Sequence, residues 1–229
     1  MGSVAVRENE KRLAASHSLG LIQDKMVVGL GTGSTVAYLL LRLAEAVAAG
    51  LKIKAVATSV WTKESCERYG IDLIDYDGRE KIDVTIDGAD EISPGLQLIK
   101  GAGGALLREK IVAAASKTVV IIGDSSKVVS VLGRCALPVE VVPFGWRQAA
   151  GRIETFGCTL HLRIAKDGTA FLTDEGNYIL DCSFGRIDDP HALAQQLDAI
   201  VGVVEHGLFL DLASQAVVAE GESVRIITR

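Results

Sequence analysis

Apolar positions in the first 123 residues alternate between short continuous runs and helical spacing. Lys25 to Leu30 is a nearly continuous apolar run, and the glycine-rich turn after it leads into Val36, Leu39, Leu40, Leu43 and Val47 at helical spacing. The same grammar repeats: strands are predicted at Lys52 to Ala57, Ile71 to Ile74 and Ile82 to Ile86, with a helix over Trp61 to Tyr69. Gly103 to Ser116 reads as another helix. Thr118 to Gly123 carries four consecutive β-branched apolar residues, the signature of a central strand buried on both faces. Strands that alternate with helices predict an α/β fold built on a doubly wound, mostly parallel sheet.

Near Gly133 the pattern changes. Val139 to Val142 reads as a strand, Gly145 to Phe156 as a helix and Cys158 to Ile164 as a strand. Ala170 to Thr173 and Tyr178 to Ser183 are expected to form a hairpin over Asp174-Glu175-Gly176-Asn177, followed by a helix from Pro190 to Ile200. That order predicts a smaller, inserted ferredoxin-like α+β domain at 133–204. The Rossmann-like catalytic domain then comprises 1–132 plus 205–229, with Gly207 to Leu210 and Ser223 to Thr228 returning to the first sheet.

Composition narrows the class. With 48% hydrophobic and 23% charged residues, and four prolines against 24 glycines, the chain has the balance of a globular protein rather than a disordered one. No uncharged apolar stretch reaches membrane-span length, since even Val36 to Ala49 is broken by Arg42 and Glu45. The N-terminus lacks the apolar core of a signal peptide, so a cytoplasmic location is expected. Val6 stands where a myristoylation signal wants Ser or Thr, so Met1-Gly2 reads as an ordinary start. Cys66, Cys135, Cys158 and Cys182 form no CxxC pair, and the four histidines show no ligand-like spacing, so no metal is expected. A net charge of −5 argues against nucleic acid as a partner while leaving room for a small anion at a local site.

Four segments carry candidate chemistry, and three of them, at 29–35, 87–91 and 123–127, sit at predicted strand ends, where parallel sheets build ligand crevices. Gly29-Leu30-Gly31-Thr32-Gly33-Ser34-Thr35 enters a helix, and its N–H groups and hydroxyls form a candidate anion cradle. Ser34 breaks the dinucleotide fingerprint, and no Gly-Lys-Ser/Thr completes a Walker loop. Asp87-Gly88-Ala89-Asp90-Glu91 crowds three acids that require a cation or a shared proton; a solvated turn and a Mg²⁺ site are the alternatives. In Lys100-Gly101-Ala102-Gly103-Gly104-Ala105-Leu106-Leu107-Arg108-Glu109-Lys110 a lysine precedes a glycine-rich helix entrance. Glu109 is placed about two turns into that helix, as a base or as one member of a surface charge cluster. Gly123-Asp124-Ser125-Ser126-Lys127 offers a second cation.

Together, GLGTGST, DGADE, KGAGGALLREK, GDSSK and LPVEVVPF (137–144), extended by GNYILD (176–181) and VVEHGLF (203–209), resemble the type A ribose-5-phosphate isomerase family. The resemblance implies cofactor-independent interconversion of D-ribose 5-phosphate and D-ribulose 5-phosphate through an enediolate, in the pentose phosphate pathway. It further implies a homodimer or homotetramer whose partner is a small sugar phosphate. Glu109 would be the base, Asp87 the acid with Asp90 beside it, and Lys100 the group that stabilises the enediolate oxygen. Substrate contacts would come from Thr32, Gly33, Ser34, Thr35, Asp87, Gly88, Ala89, Asp90, Lys100, Gly101, Ala102, Gly103 and Lys127. Ala102 departs from the family, which often has glycine there; a positive φ at that position would strain alanine and shift the loop modestly. A sugar-phosphate sensor, and a deaminase or acyl-CoA transferase relative, are the rival readings. The sensor would need a DNA-binding appendage, for which the residues before 25 are too few.

Overall fold

The computed structural model describes residues 2–229; Met1, part of the ordinary start read above, lies outside the described residues. Six strands form the main sheet: β1 (Val27–Leu30), β2 (Lys54–Ala57), β3 (Val84–Gly88), β6 (Val119–Asp124), β12 (Gln215–Glu220) and β13 (Ser223–Thr228), in the order β13-β12-β6-β3-β1-β2. All neighbours pair parallel except the terminal hairpin β12–β13. The apolar run in β6 works as its composition predicts. Val120 and Ile122 pack into the core that holds α2 (Ser34–Ala48) and α3 (Val60–Tyr69), while Val119 and Ile121 face Leu106 of α4 (Leu106–Ala114).

A second sheet has the order β10-β7-β9-β8, from β7 (Leu137–Val141), β8 (Thr159–Leu162), β9 (Tyr178–Ser183) and β10 (Val203–His206), all antiparallel. With α5 (Trp146–Glu154) and α6 (Pro190–Asp198) it gives the ferredoxin-like βαββαβ order, around a core of Val139, Ile153, Leu180 and Leu197. The fold is therefore α/β, with a doubly wound, mostly parallel sheet and a smaller ferredoxin-like α+β insertion.

Several elements differ from the sequence reading. Ile71 to Ile74 makes a single parallel bridge, Leu73 to Ala55, instead of a strand. The partner of β9 in its hairpin is β8, because residues 165–177 fold into two successive tight turns, and Ala170 to Thr173 contributes only the bridge of Ala170 to Ile164. Leu208-Phe209 (β11) joins β4 (Glu91–Ile92) and β5 (Leu98–Ile99) in a small third sheet; the strand beside β6 is instead β12, which the sequence reading does not include, and Ser223–Thr228 reaches the first sheet only by pairing with it. An N-terminal helix, α1 (Gly2–Leu19), packs on α2 and β6. Its buried stripe consists of Ala14, Ala15, Ser18 and Glu10, too small and too polar to show as an apolar period. Glu10 is fixed there by the N–H groups of Ser125 and Gly221.

Candidate active site

Asp87 is the penultimate residue of β3, at the carboxyl end of a central strand. Lys100 follows β5, its backbone held by the Gly207 carbonyl at 2.9 Å. Glu109 stands in the first turn of α4 and not two turns in, because residues 101–105 form a turn and the helix starts only at Leu106. These three elements converge on one ammonium. Lys100 Nζ lies 2.9 Å from Asp87 Oδ2 and 3.2 Å from Glu109 Oε2, and it donates to the Gly88 carbonyl at 2.5 Å. Asp87, Lys100 and Glu109 are only 1%, 3% and 4% exposed, which excludes the surface-cluster alternative for Glu109. Neither Asp87 Oδ2 nor Glu109 Oε2 receives a well-directed hydrogen bond, so both oxygens are paired by charge and remain available as proton acceptors.

Burial, reinforced by repulsion from Asp87, pushes the Glu109 carboxyl up to about 8, against the pull of Lys100. Burial also raises Asp87, only partly opposed by Lys100 and by the N–H groups of Gly88 and Thr32. For Lys100, burial works against the charge, but the two carboxylates more than offset it and hold the ammonium above its ordinary value. The site thus combines a permanent cation with two carboxyls biased towards holding a proton.

The glycine-rich turn is shaped around Asp87. Asp87 Oδ1 accepts from the N–H groups of Thr32 (3.1 Å) and Gly88 (2.7 Å), and a β-carbon on Gly31 would sit 1.9 Å from that same oxygen. Only glycine allows this approach. A cleft of about 250 Å³ opens beside these groups, lined by residues 32–35, 88–90, 100–103, Glu109 and Lys127. Every predicted substrate-contacting residue except the deeper Asp87 lines it. A larger groove of about 790 Å³ between α3 and α4 is lined by Lys63, Glu67, Asp75, Arg108 and Glu175, none of them buried, so the chemistry points to the smaller cleft, where the buried charged groups open.

At one end of the cleft, α2 begins with Gly33 as an N-cap that has no capping side chain. Its first N–H groups lack intrahelical partners. The hydroxyls of Ser34 and Thr35 and the ammonium of Lys127 have no partner among the described residues, so this end of the cleft presents open donors beside an uncapped helix start, the arrangement that suits an anion. Thr32 differs from expectation: its hydroxyl is saturated by Thr58, Ser59 and Thr62 at 2.9, 2.7 and 3.1 Å, so it braces the turn against α3. Ala102 also differs, since the positive-φ positions of its loop are Gly101 (103°) and Gly104 (82°), and alanine is unstrained. Its N–H donates to Asp90 Oδ2 at 2.9 Å, so Asp90 holds the loop.

Among the described residues, the acids of 87–91 do not gather as a metal-type cluster; the one such group is Asp198, Glu205 and His206. The Lys110 ammonium already pairs with Glu205 there and lies 3.4 Å from His206 Nδ1, a poor setting for a second cation. No helix is long and apolar enough to cross a membrane, among the described residues.

Comparison with known proteins agrees with this geometry. Residues 54–223 match the family model described as Ribose 5-phosphate isomerase A (phosphoriboisomerase A). A ribose-5-phosphate isomerase A of Bradyrhizobium diazoefficiens is 51% identical, over 96% of this chain and 95% of its own; one of Gluconobacter oxydans is 50% identical, over 93% and 94%. Among solved structures, the ribose 5-phosphate isomerase of Plasmodium falciparum superposes with a TM-score of 0.93 at 36% identity, over 97% of this chain and 99% of that one. A D-ribose-5-phosphate isomerase in complex with phospho-erythronic acid superposes with a TM-score of 0.94 at 38% identity, over the same shares.

Proposed function

The chain belongs to the ribose 5-phosphate isomerase A family, and from that premise we propose that it interconverts D-ribose 5-phosphate and D-ribulose 5-phosphate without a cofactor. The observation that carries the reading is the buried Asp87–Lys100–Glu109 group opening into a cleft whose far end is an uncapped helix start. Proton transfer next to a carbonyl needs a base, a partner for the developing oxyanion and a handle that fixes the substrate. Ser34, Thr35, the start of α2 and Lys127 hold the phosphate. Asp87, whose hold on a proton burial strengthens, assists ring opening of the aldose. Glu109 removes the C2 proton, and the electron pair moves through the new C1–C2 double bond onto the C1 oxygen, where Lys100 stabilises the charge. Glu109 then returns the proton to C1 while Asp87 relays the hydroxyl proton from O2 to the C1 oxygen, giving the ketose with its C1 hydroxyl.

The proposed domains are a catalytic one of residues 1–132 plus 207–229 and an insertion of 133–206, the boundary expected at 204 moving because β10 pairs with β7 through His206. The reading carries with it a cytoplasmic setting and a homodimer or homotetramer. It is tested by following ribulose 5-phosphate formation from ribose 5-phosphate in the presence of a chelator. Turnover that survives dialysis against EDTA is expected, and strict dependence on added Mg²⁺ or Zn²⁺ would overturn the metal-free route.

A further inference from the structure

Arg163 reaches the active-site loop from the other sheet. It directly follows β8, and its backbone N–H donates to the Ile179 carbonyl at 2.8 Å, continuing the pairing with β9. Its guanidinium is held on one side by Asp181 of β9: Nε lies 2.9 Å from Oδ2, and Nη2 contacts Oδ1. On the other side Nη1 donates to two carbonyls, Gly101 at 3.0 Å and Ala102 at 3.1 Å. The Phe171 ring lies 5.8 Å from the guanidinium carbon and also abuts Gly104, where an added β-carbon would fall 2.5 Å from the ring.

The consequence follows from peptide geometry. In a planar trans peptide the C=O and the next N–H point in opposite directions. Turning the carbonyls of residues 101 and 102 towards Arg163 therefore turns the N–H groups of Ala102 and Gly103 away from it. The first goes to Asp90. The second has no partner among the described residues, and Gly103 lines the cleft. A cation on the carbonyl end also strengthens the peptide dipole whose other end is that N–H.

We infer that Arg163 is a positioning residue, clamped by Asp181, that aims the Gly103 N–H at the oxyanion side of the cleft and so makes catalysis depend on the smaller sheet. This rests on the isomerase reading. Lysine cannot replace it, because a single ammonium lacks the planar fork that serves Asp181 and two carbonyls together.

The test compares wild type with R163M, R163K and D181N, using ribose 5-phosphate as substrate and inorganic phosphate and phospho-erythronic acid as competing ligands. Removal of one oxyanion donor typically costs about 10²–10³-fold, so misaiming it is expected to lower kcat by roughly tenfold or more in R163M. R163K should fall nearly as far and D181N less. Binding of phospho-erythronic acid should weaken in step with kcat, while KM and inhibition by phosphate stay within about twofold, because the phosphate end is built elsewhere. A folded R163M with wild-type kcat, full rescue by R163K, or an equal loss across kcat, KM and phosphate inhibition would each overturn the inference. If R163M does not fold, R163K and D181N decide by the same criteria. Absence of isomerase activity in the wild type would overturn the isomerase reading itself, an outcome separable from all of these.

Discussion

At the residue scale, Glu109, as the proposed base, has to be buried enough to be a strong base and still lose its proton in the working pH range. Its carboxyl, raised to about 8, meets both demands, and two consequences follow. The ionised form is the active one, so kcat/KM should rise about tenfold per pH unit below that value and level off above it. A pH profile flat between 6 and 9 would contradict the assignment. The same shift acts on stability. Because the folded chain holds this proton more tightly than the unfolded chain, whose value is 4.5, the contribution is full below pH 4.5 and is lost as pH rises through about 8. Glu109→Gln mimics the neutral carboxyl, so its Tm should gain on wild type between pH 5 and pH 9. A Tm difference independent of pH would place the shift elsewhere.

At the element scale, the site is made of strand ends and helix starts, each supplying what its backbone leaves open. The start of α2 supplies N–H groups, and the turn after β6 supplies Lys127. Lys127→Ala should therefore raise KM for ribose 5-phosphate more than it lowers kcat, as expected for a contact made equally in ground and transition states; an unchanged KM would move the phosphate site. The turn after β1 instead accommodates Asp87. Gly31→Ala pushes a methyl group into that carboxylate, so kcat should drop strongly while Lys127-dependent phosphate inhibition persists. Wild-type kcat in this variant would show that Asp87 has freedom the packing does not suggest.

These elements also mark how far the sequence could be read. The glycine turns, the DGADE and KGAGG segments and the central strand were legible because they repeat strong local signals. The start of α4 was misplaced because Gly103, Gly104 and Ala105 break no pattern; only the absence of a capping side chain and the positive φ at Gly104 delay the helix to Leu106. Arg163 carried no local signal at all, since its meaning comes from two carbonyls 61 and 62 residues away.

At the scale of the whole molecule, one large sheet sets the strand ends and a smaller one reaches back to brace the loop between them. Alternating strands and helices revealed the first, and the βαββαβ order revealed the second. The N-terminal helix leaves no apolar period in the sequence, because alanines and a buried Glu10 pack where larger apolar residues would announce it. The architecture converges on one proton transfer, and the most direct measurement follows that proton. Ribose 5-phosphate incubated in D₂O with metal-stripped wild-type enzyme should yield ribulose 5-phosphate and exchange its C2 hydrogen with solvent. In folded Glu109→Gln both rates should fall together, by about 10²–10⁴-fold. Near wild-type turnover and exchange in that variant would contradict the account and pass the role of base to Asp87 or Asp90.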